Sequence, residues 1–332
     1  MARILLILTA LILTIIVLSG LFSILKKTPL GYYAQIANAF LFTPKDKVKM
    51  TESKTNILIL GKGGEGHEAP DLTDTMFLAS IDHKSTDVKL LSIPRDIWIK
   101  PLRIKLNSAY YWGNQKAEKG GLVLAKSTVE EIIGIQVHYA VVLDFILFKD
   151  LIDEVGGIQV DVERSFVDTK YPIAGKENDD CGGSDKHFLC RYETVEFKEG
   201  LQWMTADTAL KFVRSRNAQG DEGTDFARAK RQQRIIIATK NKIVSREVLF
   251  SPSKLVNLKK LLETRIETDM DALASAVIAR KFFDARNSLV TVNIPEDFLK
   301  VAPTSEDYDN LYVFIPASGD WSQIQNWAKE TL

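Results

Sequence analysis

Five arginines are concentrated in one short stretch, "RSRNAQGDEGTDFARAKRQQR", which covers residues 214 to 234 and also holds one lysine. Three interpretations are open for such a cluster: a solvated helix face, a nucleic-acid-binding patch, or a pocket for phosphate. Guanidinium groups present forked pairs of N–H donors that match phosphate oxygens, which a compact ammonium group does not. The preference for arginine over lysine therefore favours phosphate.

The spacing within this stretch also favours a pocket. Arg214 and Arg216 are two residues apart, so both side chains lie on one side of the chain if the backbone is extended. A helix is predicted to begin near Thr224, with Arg228 in or near its first turn, where the unpaired N–H groups already favour an anion. The i, i+3, i+4 spacing puts three side chains of that helix on one face: Arg228, Arg231 and Gln232.

A second group of charged residues follows an apolar strand in "SIPRD". Pro94 stops strand pairing, and Arg95 and Asp96 then lie at the carboxyl edge of the strand. Lys105 follows a short way on, in "RIKLNSAY". An ordinary salt bridge at the end of a strand is the alternative interpretation of these residues.

The run "GKGGEG" after the first predicted strand fits the G-x-G-x-x-G pattern of dinucleotide-binding proteins only formally. That pattern must open a helix directly, because the pyrophosphate rests on the helix N-terminus. Here "HEAPDLTD" follows, with Pro70 and no helical periodicity. The sequence therefore does not favour nucleotide binding, and it predicts a flexible loop at this edge.

The elements that must position these residues alternate between strands and helices. Apolar runs of strand type begin at "NILIL", "DTMFLASID" and "VKLLSIP", and helices are predicted at "GGLVLAKSTVEEIIG", "FILFKDLIDEVGG" and "TADTALKFV". Strands "VHYAVVLD" and "IQVDVE" lie between them, and a strand "NLYVFIP" and a helix "WSQIQNWAKETL" close the chain. This alternation predicts an α/β fold with a mixed central sheet flanked by helices.

The amino-terminal stretch from Ile4 to Leu25 is apolar and carries no charge. A helix of this length reaches about 30 Å, the thickness of a bilayer core, and is longer than a typical cleaved signal. We therefore expect an uncleaved transmembrane helix. Lys26 and Lys27 follow the span, so the positive-inside rule argues against placing the rest of the chain outside the cytoplasm. The two cysteines favour that extracytoplasmic location.

Cys181 and Cys190 are the only cysteines and bracket the stretch "CGGSDKHFLC". This spacing suits a small disulfide loop, which persists outside the cytoplasm. Two unrelated reduced thiols are the alternative. A zinc site would need more ligands than Cys181, Cys190 and His187 supply. The 43 basic and 43 acidic residues balance to zero net charge, which argues against a nucleic-acid-binding protein.

Several motifs together resemble the LytR-CpsA-Psr (LCP) family. They are "LTDTMFLAS", "LLSIPRDIWI", "KLNSAY", "VVLDFILFKDLIDEVGGIQVDV", "ALKFVRSR" and "DFARAKRQQR", and they occur here in the family's order between about residues 55 and 245. The resemblance implies a three-layer α-β-α fold anchored in the cell membrane by a single span, with its catalytic domain outside the cytoplasm. It also implies a transferase that moves an anionic glycopolymer from an undecaprenyl-pyrophosphate carrier to peptidoglycan, with pyrophosphatase activity as a further expectation.

The resemblance implies a role for each matching residue. Asp74 would bind a divalent cation, Mg²⁺ or Mn²⁺, and Asp74, Arg95 and Asp96 would be the catalytic residues. The predicted pyrophosphate-binding residues are Arg95, Lys105, Arg214, Arg216, Arg228 and Gln232. The predicted segments are an anchor (1–27), a tether (28–54), a catalytic domain (55–300) with an insertion at 166–200 that carries the disulfide, and a terminal strand and helix (301–332).

Two residues depart from the family pattern. Gly63 stands where the family has an aspartate after the first strand, and Leu72 stands where it has an arginine before the second. The acidic residues of the same loop, which could replace the missing carboxylate, are Glu65, Glu68 and Asp71. The lost aspartate favours the alternative function, a non-catalytic regulator of the cell envelope that binds polyprenyl phosphate or glycopolymer.

Overall fold

A computed structural model of the chain describes residues 38–65, 69–176, 178–183, 187–285 and 288–332. The chain divides into two compact units: the residues up to Val48 together with Asp271–Arg280, and Lys49–Met270 together with Lys281–Leu332. The predicted anchor and the first part of the predicted tether lie outside the described residues. Within the described ranges, no helix combines the length and the hydropathy needed to cross a bilayer.

A mixed sheet forms the centre of the second unit, as predicted. Its strands lie in the order β11-β6-β1-β2-β3-β12. Strand β1 is parallel to β6 and antiparallel to β2, and β3 is antiparallel to β2 and parallel to β12. The bounds of these strands are β1 Lys54–Lys62, β2 Thr73–Asp82, β3 Val88–Ser92, β6 Tyr139–Asp144, β11 Glu267–Thr268 and β12 Leu289–Asn293.

The remaining strands form two-stranded sheets, β4 with β5, β7 with β10, β8 with β9, and β13 with β14. The last strand is shorter than its predicted run. Their bounds are β4 Trp98–Ile99, β5 Ile104–Lys105, β7 Ile158–Val162, β8 Phe166–Pro172, β9 Tyr192–Phe197, β10 Gly200–Met204, β13 Leu299–Val301 and β14 Phe314–Pro316.

The helices begin and end at residues that the sequence marks. Thr205 and Thr224 cap two of them, since their side chains accept hydrogen bonds from the amides of Thr208 and Ala227. Gly134 ends another with a φ of 70°, which glycine adopts without strain. The helices are α1 Ala109–Lys116, α2 Gly120–Ile133, α3 Phe145–Val155, α4 Ala206–Arg214, α5 Asp225–Ile243, α6 Arg246–Leu249, α7 Pro252–Arg265, α8 Ala272–Asp284 and α9 Ser322–Thr331.

The two larger apolar cores among the described residues hold the second unit together. The first joins one face of the central sheet, including Leu58, Leu60 and Leu78, to helices α2 and α9 through residues such as Ile132 and Ile324. The second is centred on aromatic residues of the small sheets and helix α4: Phe166, Phe197 and Phe212. The rings of these three lie 5.0–5.9 Å apart. Burial of apolar surface on this scale is the main stabilising term of the fold.

The predicted insertion at 166–200 contains a β-hairpin formed by β8 and β9. The disulfide between Cys181 and Cys190 is confirmed, with the two Cα atoms 5.6 Å apart. It closes the loop between the two strands. The sequence had predicted the disulfide but not the hairpin on which it lies.

Removal of this disulfide should destabilise the protein moderately. A loop of this size restricts the unfolded chain by roughly 2–3 kcal/mol in the chain-entropy model. We expect a Cys181→Ser/Cys190→Ser variant to unfold at lower urea concentration than the wild type under non-reducing conditions. Equal midpoints for the two proteins would contradict the prediction.

A buried histidine connects strand β1 to the segment before it. The Nδ1 atom of His138 accepts a hydrogen bond from the Asn56 amide at 2.9 Å, and its Nε2 lies 3.0 Å from the Thr51 hydroxyl. Burial lowers the pKa of His138 from its ordinary 6.5, and the charges of Lys49 and Lys126 lower it further. A protonated ring would point an N–H at the Asn56 amide, so the neutral form is the one that fits.

Stability should therefore fall in mildly acidic solution. The unfolded chain binds a proton at His138 below about pH 6.5, whereas the folded protein resists until its lower pKa is reached. The contribution is complete above about pH 6.5 and is lost as the pH falls from there to the folded pKa. Urea unfolding from pH 8 to pH 5 measures this, and His138→Gln should reduce the slope while His187→Gln, at an exposed position, should not.

In the first unit, one arginine binds residues 40–43 of the predicted tether. The guanidinium group of Arg280 donates to the carbonyl oxygens of Phe40, Leu41 and Thr43 at 3.1, 2.8 and 2.7 Å. These three bonds satisfy backbone acceptors of residues 40–43.

Candidate functional site

A pocket opens at the edge of the central sheet where the parallel strands end. Strands β1, β3, β6 and β12 have their carboxyl ends at this edge, and β2 begins there. This is the usual position for a ligand in an α/β sheet. The pocket encloses about 550 Å³ open to solvent and is lined by Asp74, Met76, Ser92, Ile93, Pro94, Arg95, Asp96, Phe226, Arg228, Ala229, Gln232, Asn293, Ile294 and Phe314.

The structure brings five of the predicted site residues together in this pocket: Asp74, Arg95, Asp96, Arg228 and Gln232. They come from three separated segments of the chain. Two guanidinium groups thus line a single cavity together with two carboxylates and an amide.

A charged network orients Arg95. Its guanidinium group donates to Asp74 Oδ1 and, at 3.2 Å, to Asp96 Oδ2, and Lys105 Nζ lies 2.8 Å from Asp96 Oδ1. Asp96 is only 5% exposed, so its charge depends on these two cations. The side chain of Asp74 is 34% exposed, which leaves it accessible from the pocket. Asp96 therefore holds Arg95 in place, and Asp74 is the carboxylate open to a ligand.

Asp74 lies at an irregularity in strand β2. Pairing of β2 with β1 passes from Thr75, opposite Gly61, to Thr73, opposite Lys62, and skips Asp74. A bulge of this kind turns a side chain away from the regular alternation, and bulges are common beside active sites.

Helix α5 supplies the opposite wall of the pocket. Arg228 is 9% exposed, and its amide makes the first hydrogen bond of the helix, to the carbonyl oxygen of Thr224 at 3.1 Å. Gln232, one turn later, donates from Nε2 to the Thr75 hydroxyl at 2.8 Å. Gln233 donates to Asn293 Oδ1 at 3.1 Å and so joins the helix to the end of β12. The positively polarised first turn of α5 thus adjoins the pocket, as the sequence predicted.

Arg231 does not share the face of Arg228 and Gln232, and that prediction was wrong. Its side chain is buried and turns to the loop after helix α4. It donates to the carbonyl oxygens of Phe212, Ser215 and Glu222 at 3.1, 2.7 and 2.9 Å, and to Glu222 Oε2 at 2.8 Å. With its donors bound to the protein itself, Arg231 is a structural residue.

Arg214 and Arg216 lie on either side of a buried serine. Ser215 is fully buried, with φ −55° and ψ 127°, and it directly follows Arg214, the last residue of α4. Arg216 is exposed, and Arg214 is partly buried.

Two aromatic rings hold the Arg214 guanidinium group, that of Phe145 at 4.7 Å and that of Tyr171 at 5.8 Å. Burial raises the pKa of Tyr171, although the charge of Arg214 opposes the shift. Phe145 directly follows β6, which β1 separates from β2 in the sheet. Among the described residues, the pocket lining leaves out Arg214, Arg216 and Lys105.

Two of the three candidate replacements for the missing aspartate, Glu65 and Asp71, are absent from the pocket lining. Asp71 pairs with Lys62 at 2.8 Å, Glu65 is exposed, and Glu68 lies outside the described residues. In the part of the chain that the structure describes, one group of three metal-ligand side chains lies within reach of one ion. It consists of Asp179, Cys181 and Cys190, and its two sulfurs are joined in the disulfide.

A divalent cation nevertheless fits the pocket in one arrangement. Mg²⁺ is commonly held by one or two carboxylates together with the phosphates of a substrate. Within the described residues, Asp74 Oδ2 accepts no hydrogen bond, and the side chain is accessible. Asp74 can therefore supply one ligand, and the substrate would have to supply others.

Sequence reasoning missed several residues at the site. Asn293 ends strand β12, whose run "LVTVN" has the β-branched composition of a strand and could have been predicted from it. Phe226 belongs to the predicted helix α5, but nothing in its type marks it as a pocket residue. Asp168, which is fully buried, accepts hydrogen bonds from the amides of Arg216 and Asn217.

Comparison with known proteins finds similarity over most of the chain. The model of the LytR_cpsA_psr family matches residues 34–330. The chain is 27% identical over 303 residues to the polyisoprenyl-teichoic acid–peptidoglycan teichoic acid transferase TagV of Bacillus subtilis (strain 168). The match covers 86% of this chain and 66% of that relative, so the chain spans just under two thirds of the relative's length.

Solved structures show the same fold. The crystal structure of Bacillus subtilis TagV superposes with a TM-score of 0.58 at 23% identity, covering 85% of this chain and 98% of that one. The structure of TagT bound to LI-WTA gives a TM-score of 0.56 at 19% identity, covering 86% and 94%. The mixed α/β fold with a central sheet flanked by helices is thereby confirmed.

Proposed function

The chain belongs to the LytR_cpsA_psr family, and on that premise we propose that it transfers an anionic glycopolymer from a polyprenyl-pyrophosphate carrier to peptidoglycan. The observation that carries the proposal is the pocket that Arg95 and Arg228 both line at the edge of the sheet. Two guanidinium groups from different segments suit a ligand with two neighbouring phosphates. The TagV relative is named for a polyisoprenyl-linked polymer, the class of donor proposed for this chain.

The chemistry follows from the charges of the pocket. A hydroxyl oxygen of peptidoglycan forms a bond to the phosphorus next to the polymer, and the bond from that phosphorus to the bridging oxygen breaks. The polyprenyl phosphate leaves with the negative charge, which Arg95 and Arg228 stabilise in place. The hydroxyl proton passes to water at the open mouth of the pocket, while Asp96 and Lys105 keep Arg95 oriented.

Mg²⁺ or Mn²⁺ is part of the proposal as a ligand of Asp74. Bound there, the ion would neutralise phosphate charge as a Lewis acid. The chain's own residues would orient the substrate. Gln232, whose side chain is held by the Thr75 hydroxyl, contacts it from helix α5, and Arg95 contacts it from the end of β3.

We place the pocket on the outer side of the cell membrane, with the apolar stretch Ile4–Leu25 as a single-pass anchor. The disulfide supports this location, since disulfides persist outside the cytoplasm. Cleavage of the pyrophosphate without an acceptor would follow if water takes the place of the peptidoglycan hydroxyl.

A transfer assay with the full-length protein in detergent tests the proposal. The reactants are a polyprenyl-pyrophosphate-linked anionic glycopolymer and peptidoglycan, with Mg²⁺ or with a chelator. We expect covalently attached polymer and released polyprenyl phosphate in equal amounts, and loss of both with the chelator.

The absence of a carboxylate at position 63 favours one competing function, a regulator that binds the same polymer without turnover. Tight binding of the carrier with no release of polyprenyl phosphate, unaffected by the chelator, would support that function and overturn the transferase. Absence of binding would overturn both.

A further inference from the structure

The loop between helices α4 and α5 carries Arg216 and follows Arg214 directly. A loop of this kind satisfies few of its own backbone groups and is held by other parts of the protein or by water. Here two buried ionised side chains hold it, one at its amides and one at its carbonyls.

The amide side is held by Asp168 on strand β8. Its Oδ2 atom accepts hydrogen bonds from the amides of Arg216 and Asn217 at 3.0 and 3.1 Å, and its Oδ1 accepts one from Lys170 at 2.9 Å. Asp168 also forms an isolated antiparallel bridge with Ala218. A fully buried carboxylate is costly unless it is hydrogen-bonded, and these three amides supply its partners.

The carbonyl side is held by Arg231. Its bonds to Ser215 and Glu222 flank the stretch that Asp168 binds, and its guanidinium group lies 4.7 Å from the ring of Phe166 on the same strand as Asp168. Strand β8 and helix α5 thus fix the loop between them.

We propose that Asp168 is a positioning residue for phosphate binding, which acts by fixing the backbone from Arg214 to Asn217. The inference rests on the function proposed above and on the phosphate-binding role that the family resemblance implies for Arg214 and Arg216. Asp168 is fully buried and does not line the pocket, so any effect on a ligand passes through the loop. Both of its bonds to this loop fall at or directly after Arg216, where a shift of the backbone would move the guanidinium group most.

Binding of inorganic pyrophosphate to the full-length protein in detergent, followed by calorimetry, tests this role. Asp168→Asn keeps the shape of the side chain but removes the charge and turns an N–H₂ group toward backbone amides. We expect a loss of affinity of about tenfold, the size expected for one charge-assisted hydrogen bond. Glu196→Gln makes the same chemical change at an exposed position of the paired strand β9 and should leave the affinity unchanged.

A double-mutant cycle separates positioning from general destabilisation. In an Arg214→Ala/Arg216→Ala background, Asp168→Asn should weaken pyrophosphate binding by less than about twofold, because the groups it positions are gone. An equal loss in both backgrounds, or no loss in the wild-type background, would overturn the role of Asp168 alone. If the wild type itself does not bind pyrophosphate, the proposed function falls together with it.

Hydrogen exchange of the wild-type protein provides a measurement that does not depend on the variant folding. The amides of Arg216 and Asn217 should exchange at least about a hundredfold more slowly than those of an unstructured chain. Exchange at the unstructured rate would show that Asp168 does not hold them and would overturn the proposal.

Discussion

Arg228→Ala should reduce the transfer rate by about a hundredfold to a thousandfold, the loss typical when one preorganised donor to a developing negative charge is removed. Arg228 is one of the two arginines of the pocket, is largely buried, and lies near the amino-terminal end of helix α5. Truncation removes its donors without removing Arg95, so substrate should still bind. The measurement is the release of polyprenyl phosphate under saturating carrier.

Arg234→Ala is the matched control for this variant. Arg234 lies on the same helix, but its guanidinium group pairs with Glu163 at 2.5 Å, outside the pocket. We expect its activity to stay within about threefold of the wild type, since partly exposed ion pairs contribute little. If Arg228→Ala kept more than a tenth of the wild-type rate, the assignment of the pocket to phosphate would be wrong.

The elements around the site could be predicted because each has a local signal. Thr224, a threonine before a run of helix formers, predicts the start of α5, and the structure has its side-chain cap there. Pro94 predicts the end of β3, and the strand ends at Ser92. Arg95 follows Pro94, and Arg228 lies in the first turn after the Thr224 cap. Their positions at the edge of the sheet could therefore be inferred from the sequence of one chain.

The direction of individual side chains could not be predicted in the same way. Arg228 and Arg231 are one turn apart and of the same type, yet one lines the pocket and the other binds loop carbonyls. Arg231 binds the loop after α4. The path of that loop depends on Asp168 of strand β8, nearly fifty residues earlier in the chain. Periodicity describes the faces of one helix and contains no information about which neighbour each face meets.

The sequence left two roles open for the charged residues that follow β3, a salt bridge and a phosphate ligand. Lys105 was predicted to bind pyrophosphate, but in the structure its ammonium group lies 2.8 Å from Asp96. Asp96 was predicted to be catalytic, and the structure buries it between Lys105 and Arg95. A charged residue near a site can orient another as easily as it can meet a ligand, and only the distances distinguish the two roles.

A structural arginine and a ligand-binding arginine should differ in their contributions to the free energy of unfolding. Arg231→Ala should lower the free energy of unfolding by about 3–5 kcal/mol, because it leaves buried carbonyl oxygens and the Glu222 carboxylate without their partner. Urea unfolding monitored by fluorescence gives this value. Arg216→Ala, at an exposed position, should change it by less than about 0.5 kcal/mol.

The two variants should also differ in how they bind pyrophosphate. Arg216→Ala should weaken pyrophosphate binding in a protein as stable as the wild type, since its guanidinium group is open to solvent. Arg231→Ala should lose stability, and any loss of its affinity for pyrophosphate should result from displacement of the loop. If Arg231→Ala were as stable as the wild type, its hydrogen bonds to Phe212, Ser215 and Glu222 would not be holding that loop, and the geometry that presents Arg214 and Arg216 would need another cause.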